Sequence, residues 1–125
     1  MTDSDSKKRR SALDMTGAEF RAIGHALVDE IAAFYDSLPA RRLTREAGPD
    51  EIRRLLGTAE LPEKGTDPAS LFEEVTPLLF DYSLHNGHPK FLGYITSSAA
   101  PLGALADLLA AAVNANVGKW DLAPI

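Results

Sequence analysis

Between Phe91 and Gly118 the chain carries a single charged residue, Asp107, in a run otherwise made of apolar, small and hydroxyl or amide side chains. A surface that apolar needs a second layer to lie against. The residues before it supply part of that layer, and few residues follow it. The expectation is therefore the front portion of a larger assembly rather than a self-sufficient domain.

Composition narrows the function classes. With 18 acidic against 13 basic residues the net charge is −5, which argues against a general affinity for nucleic acid or anionic membrane. Cysteine is absent, so a disulfide scaffold and a thiolate metal site are excluded. The N-terminus is polar, without the apolar segment of a signal peptide, and the longest apolar run is shorter than the ~20 residues of a membrane span. A soluble, cytoplasmic protein is the expectation. Residues 1–13 read as a disordered tail. Within them Lys7-Lys8-Arg9-Arg10 reads as a solvated run, with an import signal or polyanion-binding patch as the alternative.

The rest of the chain spells helices. Thr16-Gly17-Ala18-Glu19 has the form of a capping box. After it Phe20, Ile23, Leu27, Ile31, Phe34 and Leu38 recur at intervals of three and four, one stripe on a helix that Pro39 ends. A second, short helix follows Gly48: Pro49 suits its first turn, Asp50 and Glu51 its positive end, and Gly57 its stop. Asp67 and Pro68 open a third, whose stripe runs from Leu71 to Tyr82 and which Pro77 should kink or split near Val75 or Thr76. The turn-rich segment 81–89 leads to Phe91–Ile95, a short strand or extended segment. Ser97 and Ser98 are placed to cap a final helix, Leu102–Val113. That helix is apolar nearly all round, as helices buried on every side are, and Asn114 to Gly118 terminate it. The expected fold is all-α, about four helices in an extended arrangement.

Chemical motifs are scarce. There is no glycine-rich phosphate loop, no paired-histidine zinc helix and no nucleophile elbow. His25 reads as a surface residue. His85 and His88 are three apart in a turn and offer two metal ligands without a third. Asp107, inside an Ala/Leu helix, calls for a specific partner: Ser97 or Ser98, backbone amides at a nearby helix start, an arginine from the first helices, or a group of the large domain outside this chain. The alternative is that it marks the helix's one wet edge.

Taken together, His88-Pro89-x-Phe91, Gly93-Tyr94, Ser97-Ser98, Ala104-Leu105-Ala106-Asp107-Leu108-Leu109, Asn114, Trp120 and Leu122-Ala123-Pro124 resemble a known pattern. It is that of the N-terminal region of the group II pyridoxal-phosphate-dependent amino acid decarboxylases. Glu19-Phe20-Arg21, Gly24-His25 and Pro49 to Gly57 agree more loosely, so the likeness covers residues 14–125. The resemblance implies an N-terminal helical arm that dimerises, either with itself or with a full-length relative. It also implies a substrate-pocket wall in a carboxy-lyase acting on an amino acid. Tyr94, Ile95, Thr96 and Ser97 would face the substrate side chain, Asn116, Val117 and Gly118 would reach the neighbouring subunit's site, and His88, Pro89 and Trp120 would shape the approach. The alternative is that Tyr94, Ile95 and Trp120 are only core, and Trp120 reads equally well either way.

The same resemblance marks what this stretch does not contain. The family's Schiff-base lysine directly follows a histidine, whereas His25, His85 and His88 are followed by Ala26, Asn86 and Pro89. No catalytic, cofactor-binding or metal-binding residue is therefore assigned here, and this chain alone is not expected to bind pyridoxal phosphate or to decarboxylate a substrate. The alternative function is a stand-alone helical self-association or interaction module. Binding of nucleic acid through residues 7–10 is a remote third reading.

Overall fold

The computed structural model describes residues 14–57, 60, 63–121 and 123. Among them are four α-helices, one 3-10 turn and no strand. The helices are α1 (Gly17–Ser37), α2 (Pro49–Leu56), α3 (Pro68–Tyr82) and α4 (Pro101–Val113), with the 3-10 turn Leu38–Ala40 following α1. The fold is all-α. The tail assigned to residues 1–13 lies outside the described residues, and the chain divides into two units at Leu84/His85.

In the first unit the local signals act as read. The Thr16 hydroxyl accepts from the Glu19 amide at 3.2 Å, and the Glu19 carboxylate accepts from the Thr16 amide at 2.7 Å, closing the capping box. Helix α1 stops at Ser37, ahead of Pro39, whose ring is accommodated in the 3-10 turn. Gly57 ends α2 at φ 72°, a conformation open to glycine. The Asp67 carboxylate accepts from the Ser70 amide at 3.0 Å and opens α3.

In helix α3 the expected split does not occur: Pro77 lies inside the helix, which runs unbroken to Tyr82. Proline costs one backbone hydrogen bond and crowds the carbonyl four residues back. Tertiary contact beyond Pro77 offsets that. Phe80 stacks on Phe34 of α1, ring centroids 4.3 Å apart and planes 14° apart, and fixes the second half of α3 in place.

Arg41 locks the same corner. Its Nε donates to the Ser37 hydroxyl at 2.8 Å, its Nη1 donates to Asp81 at 3.0 Å, and its guanidinium stands 5.2 Å from the Phe34 ring centroid. Helix α2 is tied to the end of α3 by a smaller cluster. The Tyr82 hydroxyl donates to the Glu51 carboxylate at 3.3 Å. Arg45 lies 3.6 Å from the same carboxylate oxygen and 4.5 Å from the Tyr82 ring centroid.

The second unit departs further from the sequence reading. Phe91–Ile95 forms no strand: the chain bends at Tyr94 and Ile95, and Tyr94 takes φ 58°. Ser97 and Ser98 do not cap α4. Its N-cap is Ala100, extended at φ −96°, ψ 123°, with Pro101 next. Proline at the first helical position needs no donor and holds the residue before it extended, so Pro101 sets the start without a hydroxyl. The end is as read: Asn114 adopts the left-handed conformation at φ 45°, ψ 49°, and its amide bonds the Ala110 carbonyl at 2.9 Å.

The largest departure is burial. No described hydrophobic residue of the chain is buried, and α4, expected to be enclosed, is exposed along its whole length. Leu102 is 78 % exposed and Leu109 67 %, so the apolar girdle of this helix faces solvent.

Candidate functional site

The residues singled out for the substrate wall fall into two short segments flanking α4. In the first, the His88 amide donates to the His85 carbonyl at 3.0 Å and the Phe91 amide to the His88 carbonyl at 2.8 Å. These two turns fold the His-Pro segment on itself, and both histidines are buried, His88 at 4 % exposure. The His88 Nδ1 accepts from the Lys90 amide at 3.0 Å, which places the proton of a neutral ring on Nε2. His88 thus acts on the backbone here, as a clasp that aims the chain into Phe91.

Beyond the clasp the side chains stand outward. The Phe91 and Tyr94 rings lie 6.4 Å apart, yet Tyr94 is 86 % exposed and Ile95 fully so. Thr96 and Ser97 are exposed as well. A non-glycine residue in the left-handed region costs about 1–2 kcal/mol. At Tyr94 that strain turns the chain so that an aromatic and a β-branched side chain project together into solvent.

After α4, the Asn116 side-chain oxygen accepts from the Gly118 amide at 3.0 Å, a local turn that leaves Val117 at its tip, exposed. A Cβ at Gly118 would come within 3.1 Å of that oxygen, so a larger residue there would push the Asn116 side chain back by a few tenths of an ångström. Trp120 is exposed, which removes the core reading for it in this unit. Among the described residues no hydrogen bond or ring contact joins 94–97 to 116–118. The two segments are displayed without being assembled into one cavity.

Asp107 is exposed, without a hydrogen bond or ion pair to a described residue of its own unit, so Ser97 and Ser98 are not its partners there. His85 and His88 are joined by no further carboxylate or histidine in a group of three among the described residues. The described lysines, Lys64, Lys90 and Lys119, are all exposed. Among the described residues none of these lysines is enclosed by groups that would hold an aldehyde cofactor and its phosphate.

One concavity exists that sequence patterning did not reveal. A groove of about 490 Å³ opens between α1 and α3 in the first unit. Ile23 and Leu27 line it from α1, and Phe72 and Phe80 from α3. Glu30, Glu73 and the Arg41–Asp81 pair add charge to it. Neither Glu30 nor Glu73 makes an ion pair with a described residue. At the neighbouring end of α3, burial pushes the Tyr82 phenol above its ordinary value. The Arg45 charge opposes this, and the Glu51 and Asp81 carboxylates reinforce it.

Comparison with known proteins places these features. The chain is 29% identical over 108 residues to the aromatic-L-amino-acid decarboxylase of Bacillus atrophaeus, matching 86% of this chain and 22% of that protein. It is 29% identical over 116 residues to the tyrosine decarboxylase of Oryza sativa subsp. japonica, over 91% of this chain and 22% of the relative. The aromatic-L-amino-acid decarboxylase of Bos taurus is 26% identical over 110 residues, again over 22% of its length. The chain is therefore similar to amino acid decarboxylases and spans about a fifth of the length of the curated relatives it matches. No protein-family model matches it. No solved structure matches it either.

Proposed function

We propose that this chain supplies the N-terminal dimerisation and substrate-wall portion of a pyridoxal-phosphate-dependent decarboxylase acting on an amino acid. The observation that carries the reading is similarity over 86% to 91% of the chain to decarboxylases of which the matched stretch is 22%. Two structural features support it. Helix α4 presents leucines on an uncovered face, which suits a surface completed by another subunit or a larger domain. Tyr94, Ile95, Val117 and Trp120 stand exposed on short, locally braced turns, as wall residues do before the other wall is present. The cofactor supplies the electron sink for such chemistry, and this chain contributes shape and apolar surface.

A chimera tests it directly: the matching segment of the Bacillus atrophaeus decarboxylase is replaced by this chain. A dimeric, cofactor-loaded chimera that releases carbon dioxide from an aromatic amino acid supports the reading. Tyr94→Ala should then raise KM more than it lowers kcat. A folded, loaded dimer without turnover, or a monomer, counts against the wall or the dimerisation part respectively.

The second reading, a helical self-association module without catalysis, is favoured by the same exposed α4. It is distinguished by a chimera that dimerises and turns over no substrate, together with stable self-association of the chain alone.

A further inference from the structure

His88 is enclosed, at 4 % exposure, while Pro89, Lys90 and the residues from Leu92 to Ser98 stand exposed. A ring so placed has little surface left for a substrate, and its Nδ1 is engaged with the backbone. We infer that His88 is a positioning residue of the substrate wall: by accepting the Lys90 amide at Nδ1 it sets the direction in which Phe91 and Tyr94 leave the turn. The inference deepens the proposed function and, for its readout in turnover, rests on it.

Turn geometry carries the first step. The His88 amide bonds the His85 carbonyl at 3.0 Å, and the His88 carbonyl accepts from the Phe91 amide at 2.8 Å, so two consecutive turns share this residue as their hinge. Pro89 holds the second position of the second turn, where its fixed φ suits the bend. Proline brings no N–H, so the Lys90 amide is the one donor inside that turn, and it points to Nδ1 at 3.0 Å. A side-chain acceptor that takes the amide two residues on is the device by which Asn and Asp lock turns. An imidazole nitrogen fills that role here.

What leaves the turn is the wall. Phe91 is half-buried, and its ring lies 6.4 Å from that of Tyr94 with the planes 29° apart. Tyr94 takes the left-handed conformation at φ 58°, which a tyrosine keeps only with support from its surroundings. The Phe91 ring is such a support, and the His88 turn fixes the backbone from which that ring projects. A wall fixed beforehand leaves less ordering to be done when a substrate binds, and the benefit appears in affinity before it appears in turnover.

Two replacements separate the ring nitrogens. In His88→Asn the side-chain oxygen is bonded to Cγ, as Nδ1 is, and can accept the same amide. In His88→Gln the oxygen stands one bond further out, at the level of Nε2. In the dimeric, cofactor-loaded chimera, His88→Ala and His88→Gln should raise KM about fivefold, the scale of one lost hydrogen bond, with kcat within about twofold. His88→Asn should recover most of that affinity. On this chain itself, nuclear magnetic resonance should show a nitrogen–nitrogen coupling across the bond from the Lys90 amide to Nδ1. Overhauser contacts between the Phe91 and Tyr94 rings should persist in the Asn variant and vanish in the other two. Rescue by Gln and not by Asn assigns the ring's work to Nε2 and overturns the inference. So do an absent coupling, ring contacts indifferent to all three replacements, and a fall in kcat with KM unmoved. A chimera without turnover sinks the decarboxylase reading alone, and the coupling and ring contacts of this chain then decide the inference.

Discussion

Arg41 and Asp81 are forty residues apart in the chain and 3.0 Å apart in space. Their bridge alone is worth little, because half of the Asp81 side chain is exposed. Arg41 does more than bridge: it also bonds Ser37 and stands over the stacked Phe34 and Phe80 rings. Asp81→Asn should therefore cost less than about 1 kcal/mol, and Arg41→Ala about 1–2 kcal/mol. Arg41→Lys should fall between them, since it keeps the charge and loses the planar fork. Urea unfolding of the full chain followed by far-ultraviolet circular dichroism reads all three.

The Tyr82 phenol is held above its ordinary value of about 10, chiefly by burial. The folded state thus favours the protonated hydroxyl. Its contribution to stability is full below the ordinary tyrosine value and is lost as pH rises from there through the folded value. Wild-type chain should weaken across that alkaline window, and Tyr82→Phe should weaken less steeply. Equal slopes from thermal melts at pH 8 to 11 would exclude Tyr82 as the source.

Asn114 closes α4 in the left-handed conformation. Asn114→Gly should leave the helix end intact or slightly firmer, whereas Asn114→Ala should cost about 1 kcal/mol. Amide hydrogen exchange in the last turn of α4 distinguishes the two, with faster exchange expected only for alanine.

Asp107 is the one charge on a helix that is otherwise apolar, and it faces solvent. Asp107→Asn should leave the melting of the isolated chain unchanged within about 0.5 kcal/mol. Leu105→Asp with Leu109→Asp should also spare the monomer, because neither leucine is buried, and should abolish association through α4. Sedimentation velocity on the two variants checks both outcomes.

Helix boundaries were legible because their causes are local. The capping box at Thr16, the Gly48-Pro49 start, the Gly57 stop, the Asp67 cap and the Asn114 end each depend on residues within one turn. What escaped the sequence depends on distance. Pro77 reads as a break until Phe80 is seen stacked on Phe34, and Arg41 has no visible partner until Asp81 arrives forty residues later. The apolar character of α4 was legible, but burial is a property of what covers a helix and not of the helix. The same holds for the wall residues: Tyr94 and Ile95 can be named from a pattern, while the left-handed turn that projects them cannot.

That no described apolar residue is buried has a calorimetric consequence. A chain whose leucines are already wet when folded exposes little new apolar surface on unfolding, so its heat-capacity increment should be small and its melting broad. Whatever covers α4 would then collect that increment at the moment of association. Near room temperature such burial is driven by the release of water rather than by enthalpy. Cooling weakens that drive, so chilling a preparation is the gentlest way to take such an assembly apart.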